Sequence, residues 1–260
     1  MLTATDLVFR AGSRVLVDSF SATFNAGLLH LIIGPNGAGK STLIKLLARQ
    51  LRSQSGKVEY GGSDIAGWTE RRLALQRAVL SQAVEVAFSM PVRELVMMGR
   101  YPHFGTHPGA TDERVCDEAM RFFDVVELTD RSYGTLSGGE RQRVQFARVL
   151  AQIWQPVSDS ARYLFLDEPL TFLDIRHQID FMTKVREFAS QSDVVVVGVL
   201  HDLSLAVKFA DRLTLLHQGR VLATGQTRDV LTREHLRTAF DVTPVTLTNA
   251  ATGQVHLAFE

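Results

Sequence analysis

Cysteine is nearly absent: the chain has one thiol, Cys116, in 260 residues. An internal disulfide is therefore impossible, and a reducing compartment is the expected setting. Long apolar runs are also missing. Stretches such as Val194 to Leu200 end after seven residues, well short of the roughly 18 needed to cross a bilayer. No charged-then-apolar leader precedes Asp6, which fits a chain that is not secreted. Nor is there an excess of either charge. Lys plus Arg and Asp plus Glu stand at 28 each, so bulk electrostatics gives no reason to expect nucleic acid. Proline is scarce, and three of the seven, Pro91, Pro102 and Pro108, fall in one stretch. With 45% hydrophobic and 22% charged residues, the chain has the composition of a globular protein with a substantial core.

What is present is concentrated in short motifs. Gly34-Pro35-Asn36-Gly37-Ala38-Gly39-Lys40-Ser41-Thr42 fits Gly, four spacers, Gly, Lys and Ser or Thr. In that pattern bare backbone N–H groups wrap a phosphate and the lysine reaches the terminal phosphates. The apolar run Leu28 to Ile33 precedes the motif and a helical spacing from Ser41 to Ala48 follows it, so the loop joins strand to helix.

Other apolar runs also stop at chemically useful residues. Ala78 to Ser81 ends at Gln82, Tyr163 to Leu166 at Asp167-Glu168, and Val194 to Leu200 at His201-Asp202. Continuous apolar strands imply a sheet covered on both faces, and ligands of open α/β sheets sit at the carboxyl ends of the strands. Helical segments near Gly39 to Gln50, Ile175 to Ser190 and Leu203 to Phe209 supply the crossovers. An α/β fold with a doubly wound, mostly parallel core follows.

The 53 residues between Gln82 and Leu136 have helical spacing and no strong strand, which predicts an inserted helical subdomain. Leu2 to Phe24, turning at Gly12, and Lys57 to Tyr60 predict a small antiparallel sheet beside the core, and Val242 to Phe259 a terminal hairpin. One domain is expected over 1–260, with a nucleotide-binding core at 1–82 and 154–260 and a helical subdomain at 83–153. Gln155 to Arg162 reads as a polar surface insertion. Ser137-Gly138-Gly139-Glu140 matches a capping box ahead of the stripe Phe146, Val149, Leu150 and Ile153. Such a helix start is also an anion site.

This ordered set resembles the ATP-binding subunit of ABC transporters over essentially the whole chain: the phosphate loop, Gln82, Leu136 to Gln142 as signature, Tyr163 to Glu168, Leu173-Asp174 and His201. The resemblance implies a P-loop NTPase with a RecA-like core. It makes Lys40, Gln82, Glu168 and His201 catalytic, with ATP held by residues Gly34 to Thr42. Mg²⁺ would be held by Ser41, Gln82 and Asp167. Glu168 would take a proton from the attacking water, and His201 would position that water at the γ phosphate. It also implies a head-to-tail homodimer in which Ser137, Gly138, Gly139 and Asp174 reach the partner's ATP.

Val86 to His103 resembles importers of iron chelates, haem and cobalamin, where this stretch contacts the permease. Val86, Met90, Val92, Leu95 and Met98 are the expected contacts. The insertion before Asp167, Asp174 to Gln178 and Val199 to Leu203 resemble the haemin importers in particular, with ferric siderophore or cobalamin import, or a soluble ABC ATPase, as alternatives. Two permease subunits, an extracellular or periplasmic binding protein acting through them, and a peripheral place on the cytoplasmic face of the cell (inner) membrane are implied. Tyr101, His103 and His107 lie in a loop without a supporting carboxylate and are not read as haem ligands. Ala11 stands where the family usually places an adenine-stacking aromatic, leaving Phe9 on the same strand face as the candidate replacement. Leu170 and Phe172 replace smaller residues common in the family.

Overall fold

The computed structural model describes residues 1–81, 90–157, 160–171, 173–191, 193–248 and 255–259, from 244 onward as backbone only. Strands β1 (Leu2–Ala11) and β2 (Arg14–Phe24) pair antiparallel across a turn at Gly12, whose φ of 60° suits glycine. Strand β3 (Leu29–Ile33) enters the core and leads through the phosphate loop to α1 (Lys40–Leu47). The chain then returns through β4 (Ser55–Tyr60) and β5 (Ser63–Asp64), completing a four-stranded sheet in the order β2-β1-β4-β5. Helix α2 (Glu70–Gln76), capped by Thr69, hands over to β6 (Arg77–Leu80).

Helices α3 (Val92–Met97), α4 (Ala110–Phe122) and α5 (Gly138–Gln152) form the expected helical insertion. The core resumes with β7 (Arg162–Asp167), α6 (Ile175–Ala189), β8 (Val194–Val199), α7 (Leu203–Phe209), β9 (Arg212–His217) and β10 (Arg220–Gly225). Short helices α8 (Thr227–Val230) and α9 (Arg233–Phe240) precede the terminal hairpin of β11 (Pro244–Thr248) and β12 (Val255–Phe259).

The main sheet runs β10-β9-β3-β8-β7-β6, with parallel pairing everywhere except the β10 edge. Every residue of β3, β7 and β8 is buried, because both faces are covered. Alternation sorts them. Leu29, Leu31, Ile33, Leu164, Leu166, Val194 and Val196 pack with the helical subdomain, α6 and α7. Ile32, Tyr163, Phe165, Val195, Val197 and Val199 pack with α1 and the antiparallel sheet. Each such side chain removed from water stabilises by about 1.5–3 kcal/mol. Tyr60 stacks on Tyr163 at 3.9 Å and donates its hydroxyl to the Leu47 carbonyl at 2.8 Å, binding the small sheet to the large one. In the helical subdomain the buried Arg100 donates to Asp112 at 3.0 Å and to the Ala151 carbonyl at 2.8 Å, joining the start of α4 to the end of α5.

Two sequence expectations need correction. Val92 and Leu95, read as permease contacts, are 0% and 2% exposed and belong to the helical subdomain's core. Their spacing on α3 turns both onto α4 and α5, so neither side chain is offered to a partner. Arg162, read as the end of a surface insertion, is the first residue of β7 and is 4% exposed. Its guanidinium grips both Asp193 carboxylate oxygens at 2.8 Å, Gln191 Oε1 at 2.6 Å, and the Ile153 and Trp154 carbonyls at 3.1 and 2.6 Å. The side chain thereby closes the exit of α5 onto the entry of β8.

Arg162→Leu strands those acceptors and is expected to cost about 3 kcal/mol. Urea unfolding with an unchanged slope measures this; a loss below about 1 kcal/mol would show that the acceptors find other donors. Arg162 also holds the Asp193 carboxyl below its ordinary value. That contribution is full above about pH 4 and lost as pH falls, so the variant should lose this acid-side dependence.

Candidate functional site

The phosphate loop is locked by backbone contacts that no side chain would permit. Gly34, Gly37 and Gly39 have φ of 152°, 77° and 99°, the region where glycine is at ease. A Cβ on Gly34 would lie 2.2 Å from the Leu216 carbonyl oxygen, and one on Gly39 would lie 2.1 Å from that of Leu16. Leu16 is the extra residue of a bulge, since Phe9 pairs with Val17 and Arg10 with Val15, and bulges re-aim backbone beside sites. The β9–β10 turn closes the arrangement: Gly219 N donates to the Ala38 carbonyl at 3.1 Å, and Asp18 N donates to the Gly219 carbonyl at 2.9 Å.

Lys40, 5% exposed, curls back so that Nζ donates to the Gly34 and Pro35 carbonyls at 2.8 and 3.0 Å. Burial pulls its pKa down, while Glu168 and Asp167 oppose that shift. A phosphate entering the loop supplies the counter-charge that this buried ammonium otherwise draws from the two acids.

At the ends of β7 and β8 the acidic side of the site is assembled. Ser41 Oγ donates to Asp167 Oδ1 at 2.8 Å. Burial raises the Asp167 pKa and the Ser41 hydrogen bond works against the rise. One hydroxyl and one carboxylate side by side are hard oxygen donors suited to Mg²⁺, which keeps water and phosphate oxygens in its remaining positions. Among the described residues no cluster of three His, Cys, Asp or Glu could hold a metal by itself. Gln82, expected as a further ligand, lies outside the described residues.

Glu168 follows with φ of 51°, a left-handed conformation that costs a non-glycine residue about 1–3 kcal/mol. The turn takes its carboxylate out of the strand and sets Oε1 2.5 Å from His201 Nε2. Lys40, Ser41, Glu168 and His201 line one cavity of about 190 Å³ together with Asn36 and two residues that sequence motifs did not flag, Arg14 and Leu16.

The second anion-binding candidate is the start of α5. Ser137 Oγ accepts from Glu140 N at 3.3 Å and Glu140 Oε2 accepts from Ser137 N at 2.7 Å, the reciprocal cap expected from the sequence. Ser137 and Gly138 are exposed and Gly139 half-buried, so the helix start is open to an incoming group. The helix is tied to the acidic loop by a contact that sequence gave no sign of: Gln142 Nε2 donates to the Pro169 carbonyl at 2.6 Å. Asp174 caps α6, accepting from His177 N at 2.9 Å, and stands exposed.

The family model for ABC transporters matches residues 17–171. The chain belongs to that family. A hemin import ATP-binding protein of Gloeobacter violaceus is 46% identical over 240 residues, covering 92% of this chain and 87% of the relative. Its namesake in Methylobacillus flagellatus is 41% identical over 250 residues, covering 95% and 91%. A metal-chelate type ABC transporter solved in an inward-facing conformation superposes with a TM-score of 0.82 at 26% identity, covering 100% of this chain and 97% of that one.

As an ABC ATPase the chain shows departures that the structure places. Ala11 is exposed at the end of β1 and does not line the cavity, and Phe9 packs against the core of the small sheet. Leu170 is buried, and Phe172 lies outside the described residues. Met90 and Met98 are half-buried against the helical subdomain, and Val86 is outside the described residues. His103 is half-buried and bonded through Nε2 to the Gln152 carbonyl at 2.7 Å.

Gly39→Ala must push β2 off the loop or distort the loop itself. ATP binding should weaken by about tenfold or more, while circular dichroism reports an intact fold. Affinity within about threefold of wild type would show that the loop shifts away from Leu16 at little cost.

Proposed function

We propose that this chain hydrolyses ATP to energise the import of haemin through a membrane permease. The observation that carries the reading is the pairing of Glu168 with His201 at 2.5 Å beside Lys40 and the Ser41–Asp167 couple. These groups converge at the carboxyl ends of adjacent strands β3, β8 and β7, where an open parallel sheet binds ligand. The cargo is carried over from relatives named for hemin import at 40% to 46% identity.

The chemistry follows from the side chains. The loop amides and Lys40 receive the β and γ phosphates, and Ser41 and Asp167, with Gln82, would hold Mg²⁺, which would neutralise developing phosphate charge. Glu168 accepts a proton from a water held by His201 as that water's oxygen bonds to the γ phosphorus. The bond to the β-phosphate oxygen breaks, ADP departs as the leaving group, and inorganic phosphate remains.

In the proposed working assembly two copies face head to tail, each lending Ser137, Gly138, Gly139 and Asp174 to the other's ATP. Loss of the γ phosphate loosens the pair, and that motion is delivered to two permease subunits. A cassette of this kind reaches the membrane through its partners; among the described residues no helix is long and apolar enough to cross it.

Glu168→Gln should retain ATP binding, form ATP-bound dimers and lose turnover by roughly 100- to 10,000-fold. Unchanged steady-state hydrolysis would remove Glu168 from its role. In vesicles containing the permease, haemin should stimulate ATPase activity; stimulation by cobalamin or a ferric siderophore and not by haemin would overturn the cargo.

A further inference from the structure

We propose that Arg14 grips the base of the bound nucleotide, its guanidinium plane lying where other members of the family place an aromatic ring. The inference rests on ATP occupying the phosphate loop and names what completes that site. Ala11 offers only a methyl group, and Phe9 is turned into the core of the small sheet. Directly opposite Ala11 across the β1–β2 pair stands Arg14. Residues paired this way project from the same face of an antiparallel ribbon, so Arg14 occupies the face that an aromatic at position 11 would have used.

Its reach is visible in the structure. Arg14 Nη2 lies 3.1 Å from the position a Cβ on Gly37 would take, so the guanidinium overhangs the phosphate loop. Arg14 and Leu16 together line the cavity that also holds Lys40, Thr42 and His201. Among the described residues Arg14 has no hydrogen-bond or ion-pair partner. An arginine held against a structural partner would not be available to a ligand; this one is.

A base suits this pair of side chains better than a phosphate does. Phosphate charge is already answered by the loop amides and Lys40. Leu16, half-buried beside Arg14, offers an apolar surface that a phosphate would not favour. A planar, weakly hydrated guanidinium next to an aliphatic side chain forms a platform for a purine ring, with cation–π attraction added to stacking.

Calorimetric titration of the full chain with ATP, ADP and inorganic tripolyphosphate, in the presence of Mg²⁺, separates base from phosphate. Arg14→Ala should weaken ATP and ADP by about three- to tenfold and leave tripolyphosphate unaffected. Arg14→Phe, which restores a flat partner without charge, should recover most of the ATP affinity. The proposal is overturned if Arg14→Ala binds ATP as tightly as wild type, or if tripolyphosphate weakens in step with ATP, since the guanidinium would then be pairing with phosphate. Failure of the wild-type chain to bind any of the three would instead reject the nucleotide site itself.

Discussion

Backbone crowding around the phosphate loop is the constraint on which the other features depend. Carbonyl oxygens of Leu16 and Leu216 stand where side chains on Gly39 and Gly34 would have to go. The loop is thereby clamped between β2 and the end of β9, elements from two different sheets. A loop held this firmly keeps its N–H groups aimed at one point without paying the entropy of ordering them when ligand arrives. It also fixes the start of α1, and with it the buried Lys40 and the Ser41 hydroxyl that meets Asp167.

Electrostatics then follows from depth. Lys40 and Asp167 are both buried, and burial works against the charged form of each. Their proximity limits that penalty, because each lies in the field of the opposite charge. Phosphate and a divalent cation sharing the space would satisfy both charges further. Glu168 is handled differently. Its left-handed backbone and its contact with His201 hold a carboxylate near, yet apart from, the Ser41–Asp167 couple. Two adjacent acids are in this way set in different surroundings, one against Ser41 and the other against His201.

Much of this could be read from the sequence. Runs such as Tyr163 to Leu166 and Val194 to Leu200 announced buried strands because a sheet covered on both faces needs no polar alternation, and both are strands within a residue or two of the expected ends. Ser137 and Glu140 signalled the start of α5 through a local interaction whose chemistry is complete within four residues. What escaped notice depends on contacts between segments far apart. Nothing in the string of letters says that the Leu16 carbonyl abuts Gly39, or that Arg162 has carbonyls from α5 waiting for it. Val92 and Leu95 were misassigned because apolar residues on a short helix look alike whether they face a core or a partner. Arg14 went unremarked since a single arginine after a turn is ordinary until its neighbours are known.

The bond from Gln142 to the Pro169 carbonyl is one of several side-chain-to-carbonyl ties between the helical insertion and the core, alongside those of Gln152 and Arg162. Gln142 rides on the helix whose tip would touch a neighbouring copy's nucleotide, whereas Pro169 directly follows Glu168. If the insertion swivels as a rigid unit, this amide must either let go or drag the proline with it. Movement of the outer lobe would then tug on the turn that carries Glu168, so the two regions are geared together at this point.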